Sequence, residues 1–158
     1  MFVTKATTST TLDGVDNPLA LQEQVCFALA VASRSVVALY RPVLEPMGLT
    51  HPQYLVMLAL WEHAPLSVRD LSRLLQLDPA TLSPLLKRLE ATGYLRRERN
   101  PRDERALAVD LTAEGRALRR EALKVPPAIV ERLGMDLDEL TELQRRLARV
   151  IAAATSPS

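Results

Sequence analysis

Apolar residues recur at helical spacing along most of the chain, and this pattern predicts a mainly α fold. The first such stretch begins after Asn17, which precedes a proline and is suited to cap a helix. A long first helix is predicted from there to about Tyr40 or slightly beyond, with Gly48 closing the connection that follows. The Thr-rich residues 1–17 are predicted to form a flexible arm.

Three shorter helices are predicted next, each preceded by a residue that can cap its N-terminus. They cover about 51–63 after Thr50, 68–75 after Ser67 and 79–92 after Asp78. Apolar spacing predicts their buried residues, which are Leu55, Leu58 and Trp61 in the first, Val68, Leu71, Leu74 and Leu75 in the second, and Leu82, Leu85, Leu86 and Leu89 in the third. The tight turn between the last two helices predicts a helix-turn-helix pair.

The apolar period changes from helical spacing to alternation after Gly93. Two extended segments, about 94–99 and 106–111, flank the polar stretch 100–105 and predict a β-hairpin with a basic tip. A fifth helix capped by Thr112 and interrupted by two prolines follows, and a last helix covers about 136–153. The order of elements predicts a single domain over 18–158 that contains a winged helix-turn-helix over about 50–112.

Composition excludes several classes of function. The chain has 158 residues, 47% of them hydrophobic and 25% charged, which is typical of one soluble globular domain. Cys26 is the sole cysteine, so neither an intrachain disulfide nor a cysteine-based zinc site is expected, and with two histidines no metal or cofactor is predicted. We expect neither a membrane span nor a secretory signal, which makes the cytoplasm the default location.

The net charge of +1 hides a basic segment at residues 87–105, where seven basic and four acidic residues give a local charge of +3. On charge alone, a solvated charged face is the better interpretation. A cap, a helix pair and a basic hairpin occurring in this order instead favour binding of double-stranded DNA. The candidate DNA-binding residues are Thr81, Ser83, Lys87, Arg88, Arg99, Arg102 and Arg105. Asp103 and Arg105 are two residues apart and are predicted to brace the hairpin.

The residues that compose these elements resemble the MarR family of regulators. The resemblance is carried by the stretches Ser67-Val-Arg-Asp-Leu, Leu85-Leu-Lys-Arg-Leu-Glu-Ala-Thr-Gly, Asp103-Glu-Arg and Asp110-Leu-Thr-Ala-Glu-Gly. The part of the chain nearer the N-terminus is similar to OhrR-type organic-hydroperoxide sensors. The similarity lies in the stretches Leu21-Gln-Glu-Gln-Val-Cys, Tyr40-Arg-Pro and Thr50-His-Pro-Gln-Tyr-Leu.

This resemblance implies a homodimeric repressor that releases a pseudo-palindromic operator when an organic hydroperoxide oxidises it. Cys26 takes the position of the peroxide-sensing cysteine, and Tyr40 that of a tyrosine that hydrogen-bonds its sulfur. His51 stands where these sensors usually have a second such tyrosine, and Ala30 where some have another. The resemblance further implies the one-cysteine branch, with a small-molecule thiol as second reactant, and dimerisation helices over about 18–45 and 113–154.

Helix geometry constrains how Tyr40 can serve Cys26. In one straight helix, fourteen residues place the two side chains on nearly the same face but about 21 Å apart along the axis. A two-fold partner with an antiparallel first helix would bring Tyr40 of one chain to Cys26 of the other. On the prediction that the helix starts at Pro18, Cys26 lies beyond the first turn, where the helix dipole acts little.

Three other interpretations remain open from the sequence. A MarR-type regulator could respond to a bound phenolic ligand, with Cys26 incidental, because a lone cysteine is more often a buried thiol than a sensor. A thiol peroxidase is a second alternative, although Cys26 lacks the Thr-x-x-Cys context of the peroxiredoxins. A pure interaction module is the third.

Overall fold

The computed structural model of the protein describes residues 17–100 and 103–157, although the side chains of residues 100 and 103–106 lie outside the description. The chain divides into two compact units, and the boundary between them lies between Val36 and Val37. The predicted arm, apart from Asn17, lies outside the described residues. So does Arg102, at the predicted tip of the hairpin.

Within the described residues the chain forms seven α-helices and three strands. In chain order they are α1 (Val25–Leu44), α2 (His51–His63), β1 (Leu66–Ser67), α3 (Val68–Leu75), α4 (Pro79–Thr92), β2 (Leu95–Asn100), β3 (Asp103–Leu111), α5 (Ala113–Ala122), α6 (Val125–Leu133) and α7 (Leu137–Thr155). Short 3₁₀ turns precede and follow α1, at Leu21–Glu23 and Glu45–Met47. The predicted mainly α fold with a winged helix-turn-helix is confirmed.

The N-terminal unit corrects the predicted start of the first helix. Asn17 accepts a hydrogen bond from the Leu19 amide at 3.2 Å, so it caps a local turn rather than an α-helix. Gln24 is extended, with ψ of 122°, and its side-chain amide donates to the Pro18 carbonyl at 2.7 Å. These bonds stabilise a non-helical entry, and α1 begins seven residues later than the predicted Pro18.

The core of the second unit corrects the predicted buried face of α2. The helix begins as predicted, with Thr50 and Gln53 forming a capping box. Its buried apolar residues are Tyr54, Val56, Met57, Ala59 and Leu60, whereas Leu55 and Leu58 are 37% and 40% exposed. Because α2 is apolar on all sides, the pattern along the chain could not select the face that packs.

The sheet is larger than the predicted hairpin. Its strand order is β1-β3-β2 with antiparallel pairing, and the two-residue strand β1 was not predicted. The pairing of β2 with β3 continues to the pair Asn100–Asp103, so residues 103–105 belong to a strand and not to the predicted turn. The hairpin of β2 and β3 is the wing. Val109 and Leu111 of β3 are buried in the core, which anchors the base of the wing.

The C-terminal helices follow the predicted caps closely. Thr112 caps α5 and Asp136 caps α7, the latter with a capping box to Glu139. The two predicted helix-interrupting prolines lie in the first turn of α6, where the missing N–H costs little. At the other end of the described chain, the stretch Val25–Met47 has the length and apolar composition of a membrane span, with a mean hydropathy of 1.4. A helix that packs against another protein has the same properties.

Candidate nucleic-acid interface and thiol sensor

The helix-turn-helix is fixed by its buried leucines and by its turn. Leu71 of α3 and the α4 residues Leu82, Leu86 and Leu89 are buried, as predicted. Gln76 adopts the left-handed conformation, with φ of 52°, and ends α3. The Ser72 hydroxyl and carbonyl both bond to Leu77, which closes the turn. Leu74, predicted inward, is half exposed because it lies on the outer side of α3.

The face of α4 opposite its leucines is exposed and polar. It carries the predicted DNA-binding residues Thr81, Ser83, Lys87 and Arg88, all of them exposed. The Asp78 carboxylate caps the helix by accepting from the Thr81 amide and hydroxyl, each at 2.9 Å. These bonds lower the pKa of Asp78, so the cap stays ionised. The Thr81 hydroxyl donates to Asp78, which leaves its oxygen as an acceptor.

Part of the arginine charge of the wing is paired with carboxylates. The Arg96 guanidinium contacts Glu98 at 3.0 Å, and it also reaches Asp110 at 3.4 Å. Asp110 in turn accepts from Arg116 of α5 at 3.0 Å, which ties the base of the wing to that helix. Arg99, predicted to bind DNA, is exposed.

The predicted brace between Asp103 and Arg105 lies on β3, not in a turn. Residues two apart on a strand point to the same side, so the strand geometry is compatible with a contact between them. Their side chains fall outside the described part of the chain, and the brace stays a prediction. The DNA contact of Arg105 also stays a prediction.

An ion pair between α4 and β2 was not predicted from the sequence. The Arg97 guanidinium donates to one Glu90 oxygen through Nε at 3.0 Å and Nη2 at 2.7 Å. Arg97 lowers the pKa of Glu90, which keeps the carboxylate ionised. The seven-residue separation spans a helix end and a strand start, so no local rule identifies this pair. It links the exposed helix of the helix-turn-helix to the wing.

Replacing Glu90 by Gln should weaken DNA binding about threefold relative to Glu98→Gln. Both changes remove one negative charge, but among the described residues Glu98 pairs with Arg96 of its own strand, whereas Glu90 pairs across from α4 to β2. Stability should change by no more than about 1 kcal/mol because the pair is partly exposed. Fluorescence anisotropy with one DNA duplex measures both variants, and equal affinities would show that the link does not orient the wing.

In the N-terminal unit, Cys26 is exposed and lies in the first turn of α1. The Ala28 amide donates to the Gln24 carbonyl at 3.2 Å, which is the first bond of the helix. The amides of residues 25–27 therefore belong to the group that a helix start leaves without helical partners. The expectation that Cys26 lies beyond the helix dipole was wrong, because it rested on a helix start at Pro18. The structure therefore places the Cys26 side chain at the N-terminal end of α1.

In the second unit, the predicted sensor residues Tyr40 and His51 are neighbours. Their ring centroids are 4.8 Å apart in an edge-to-face arrangement, and Tyr54 joins them at 5.9 Å from Tyr40. Burial raises the pKa of Tyr40 and lowers that of His51. Near neutral pH the cluster therefore holds a protonated phenol and a neutral imidazole, each with one hydrogen to donate. The part played by Tyr54 was not predicted.

The depressed pKa of His51 predicts that folding stability falls when the pH is lowered from 7 to 5. Below its ordinary pKa the histidine of the unfolded chain takes up a proton that the folded cluster disfavours, so acid favours unfolding. His51→Gln should lose less stability over this range than the wild type, as measured by urea unfolding at both pH values. His63→Gln, at an exposed histidine, is the matched control, and parallel losses in all three proteins would exclude a role for His51.

A helix pair with an exposed polar face beside a basic antiparallel hairpin defines a winged helix-turn-helix DNA-binding protein. The model of the MarR family matches residues 49–107. The chain is 44% identical to the HTH-type transcriptional regulator TtmR of Methylorubrum extorquens, over 85% of this chain and 69% of that protein. It belongs to the MarR family and is a transcriptional regulator, not an enzyme.

Two further proteins are similar to this chain, one in sequence and one in a solved structure bound to DNA. The organic hydroperoxide resistance transcriptional regulator of Bacillus subtilis is 39% identical, over 77% of this chain and 85% of that protein. Reduced AbfR bound to DNA superposes with a TM-score of 0.71 and 34% identity, covering 86% of this chain and 95% of AbfR, a protein of Staphylococcus epidermidis. AbfR has also been solved in overoxidized and disulfide forms.

Proposed function

We propose that this regulator is a homodimeric repressor that senses organic hydroperoxides through Cys26 and then releases its operator. The observation that carries the proposal is the exposed sulfur in the first turn of α1. Similarity to the organic hydroperoxide resistance regulator of Bacillus subtilis supports organic hydroperoxides as the signal. The repressor acts where its DNA lies, in the cytoplasm, and needs no cofactor.

The proposed reaction is a two-electron oxidation of the thiolate. The sulfur attacks the terminal oxygen of the hydroperoxide, the S–O bond forms as the O–O bond breaks, and the alcohol leaves after taking up a proton. The product is a sulfenic acid. A small-molecule thiol then displaces water from it to give a mixed disulfide, or a second hydroperoxide oxidises it to sulfinic acid.

Exposed apolar surface on α7 supports the dimer. Within the described residues this helix leaves large side chains uncovered, namely Leu137, Leu143, Val150 and Ile151. A shallow groove of about 340 Å³ runs along the same helix, lined by Leu140, Leu143, Gln144, Leu147, Ala148 and Ile151. Residues at this spacing form one stripe, the pattern of a helix that packs against another helix. We assign the stripe, together with apolar α1, to a second copy of the chain.

The hydrogen-bond donor to the sulfur is proposed to be Tyr40 of the partner chain. The helical separation of Cys26 and Tyr40 excludes a contact within one straight helix and favours two antiparallel copies. His51, packed against Tyr40, would be the second donor. A site shared in this way makes oxidation sensitive to the arrangement of the two subunits, and hence to the spacing of the two copies of α4.

An electrophoretic mobility shift on the DNA next to the protein's own gene tests the proposal. The reduced dimer should retard this DNA, cumene hydroperoxide should abolish the retardation, and dithiothreitol should restore it when the product is a mixed disulfide or a sulfenic acid. Retardation that persists at full oxidation of Cys26 would refute peroxide sensing while leaving DNA binding intact.

A second candidate function is release by a small phenolic acid. An open groove of about 530 Å³ lies where α1 ends and α2 begins, lined by Val37, Arg41, Glu45, Gly48, Leu49, Thr50, His51 and Pro52. Arg41 offers a carboxylate partner at the edge of this largely apolar groove. Loss of retardation by 4-hydroxybenzoate in a Cys26→Ser protein would favour this candidate over peroxide sensing.

A further inference from the structure

Asp78 fixes the direction of the hydrogen bond that it forms with the Thr81 hydroxyl at the start of α4. Asp78 Oδ2 and Thr81 Oγ1 lie 2.9 Å apart, while Oδ1 of the same carboxylate accepts from the Thr81 amide. The bond from the amide, together with that from the hydroxyl, lowers the pKa of Asp78, and an ionised carboxylate can only accept. The Thr81 hydroxyl therefore gives its one hydrogen to Asp78. Its oxygen keeps lone pairs that can accept a further hydrogen bond.

The position of Thr81 makes this oxygen available to DNA. Thr81 is the third residue of α4 and is exposed. It stands about 100° around the helix from the buried Leu82, so its side chain lies outside the core. Among the described residues, Asp78 is the only partner of the Thr81 hydroxyl. In a helix-turn-helix, the first residues of the second helix are those that contact base edges in the major groove.

We propose that Thr81 reads a base amino group in the major groove, and that Asp78 is the positioning residue that makes its hydroxyl an acceptor. This inference rests on the proposed binding of DNA through α4. Adenine N6 and cytosine N4 are donors in the major groove, whereas guanine O6 and thymine O4 are acceptors. A hydroxyl with a free hydrogen bonds to either kind of group. With its hydrogen held by Asp78, the Thr81 hydroxyl only accepts, so it distinguishes adenine from guanine and cytosine from thymine.

Replacing Asp78 by asparagine tests the inference because it should reverse this preference. Asparagine caps a helix about as well as aspartate does, with its oxygen accepting from the Thr81 amide. Its NH2 group then stands in the place of Oδ2 and donates to the Thr81 hydroxyl. The hydroxyl hydrogen is released, and Thr81 becomes a donor to guanine O6 or thymine O4. The matching change in the DNA is a transition, which exchanges an amino group for a keto oxygen at one position of the groove.

Fluorescence anisotropy measures binding to the duplex that the wild type selects from a random-sequence pool, and to each of its transitions. We expect a transition at one base pair of each half-site to weaken wild-type binding about tenfold. Asp78→Asn should bind that changed duplex more tightly than the selected one. Thr81→Val, which keeps the shape of the side chain but loses the hydroxyl, should bind the two duplexes equally. The matched control is Asp70→Asn, which removes the same charge from α3 and should keep the wild-type preference.

A second variant of Thr81 separates its hydroxyl from its methyl group. Thr81→Ser keeps the hydroxyl and should keep the wild-type preference. A preference that is lost in Thr81→Ser and kept in Thr81→Val would overturn the inference, because the methyl group would then read the base. Equal transition penalties for the wild type and Asp78→Asn at every position would also overturn it. Failure of the wild type to select any duplex would refute the proposed function instead.

Discussion

Replacing Gly115 by alanine should destabilise the protein by about 3 kcal/mol or more. A Cβ atom at this position would lie 2.0 Å from the Tyr94 carbonyl oxygen and 2.9 Å from its carbon. Both are backbone atoms, so no side-chain rotation can relieve the overlap. Alanine has the higher helix propensity by roughly 1 kcal/mol, which is too little to compensate.

The surroundings of Gly115 limit how far the backbone can move. Its amide donates to the Thr112 hydroxyl at 3.1 Å, and its carbonyl accepts from the Trp61 indole at 2.8 Å. The Tyr94 carbonyl that would be displaced accepts from the Thr112 amide at 3.1 Å, immediately before β2 begins. A shift that accommodates alanine therefore disturbs the base of the wing, and DNA affinity should fall together with stability.

Urea unfolding and DNA anisotropy of Gly115→Ala measure the two effects. Ala117→Ser, which adds one heavy atom at an exposed position of the same helix, is the control and should behave as the wild type. Equal stability of Gly115→Ala and the control would show that α5 can move away from Tyr94 at little cost, and that this contact does not hold the two elements in place.

The second large effect is expected at Cys26. The Cys26→Ser protein should bind operator DNA as the reduced wild type does and should keep that affinity in the presence of hydroperoxide. Under the same conditions the wild type should lose about 10- to 100-fold in affinity, the usual range for coupling between two sites. Fluorescence anisotropy with one duplex, before and after addition of the oxidant, measures the affinity of each protein in both states. A loss of affinity in Cys26→Ser that equals that of the wild type would exclude the thiol as the sensor.

Mixed dimers locate the hydrogen-bond donor. A dimer is assembled from one Cys26→Ser subunit and one Tyr40→Phe subunit. Its remaining sulfur then lies in the Tyr40→Phe chain and faces the intact Tyr40 of the partner. Donation across the dimer predicts oxidation at the wild-type rate, followed by mass spectrometry, whereas donation within one chain predicts the slow rate of the Tyr40→Phe homodimer. The slow rate would exclude the shared site.

The sequence by itself determined where most helices begin and end. Thr50, Ser67, Asp78, Thr112 and Asp136 each accept from an amide three residues later. Such a bond depends on neighbours in the chain, so a short stretch of sequence suffices to predict it. The α4 leucines were predictable for a similar reason, because one face of that helix is apolar and the opposite face is polar.

Motifs in the sequence also identified the family and the candidate site residues. The comparisons confirm the family, whereas the roles of Cys26, Tyr40, His51 and the wing arginines stay predictions. Both kinds of inference came from residue types at fixed spacings. The start of α1 shows the limit of this approach, because the side-chain bonds of Gln24 favoured a turn over a helical pattern that was equally present in the sequence.

The tertiary structure alone decided which residues meet across distance in the chain. Packing of the elements determined which face of α2 is buried and which strand pairs with β1. It also brought Glu90 to Arg97 and placed Gly115 directly against the Tyr94 carbonyl. Each of these depends on the packing of one element against another, and the free energy of such packing is not encoded in any local period or cap. Local hydrogen bonds and amphipathic patterns fix the elements, and the shapes that must fill one core fix how those elements meet.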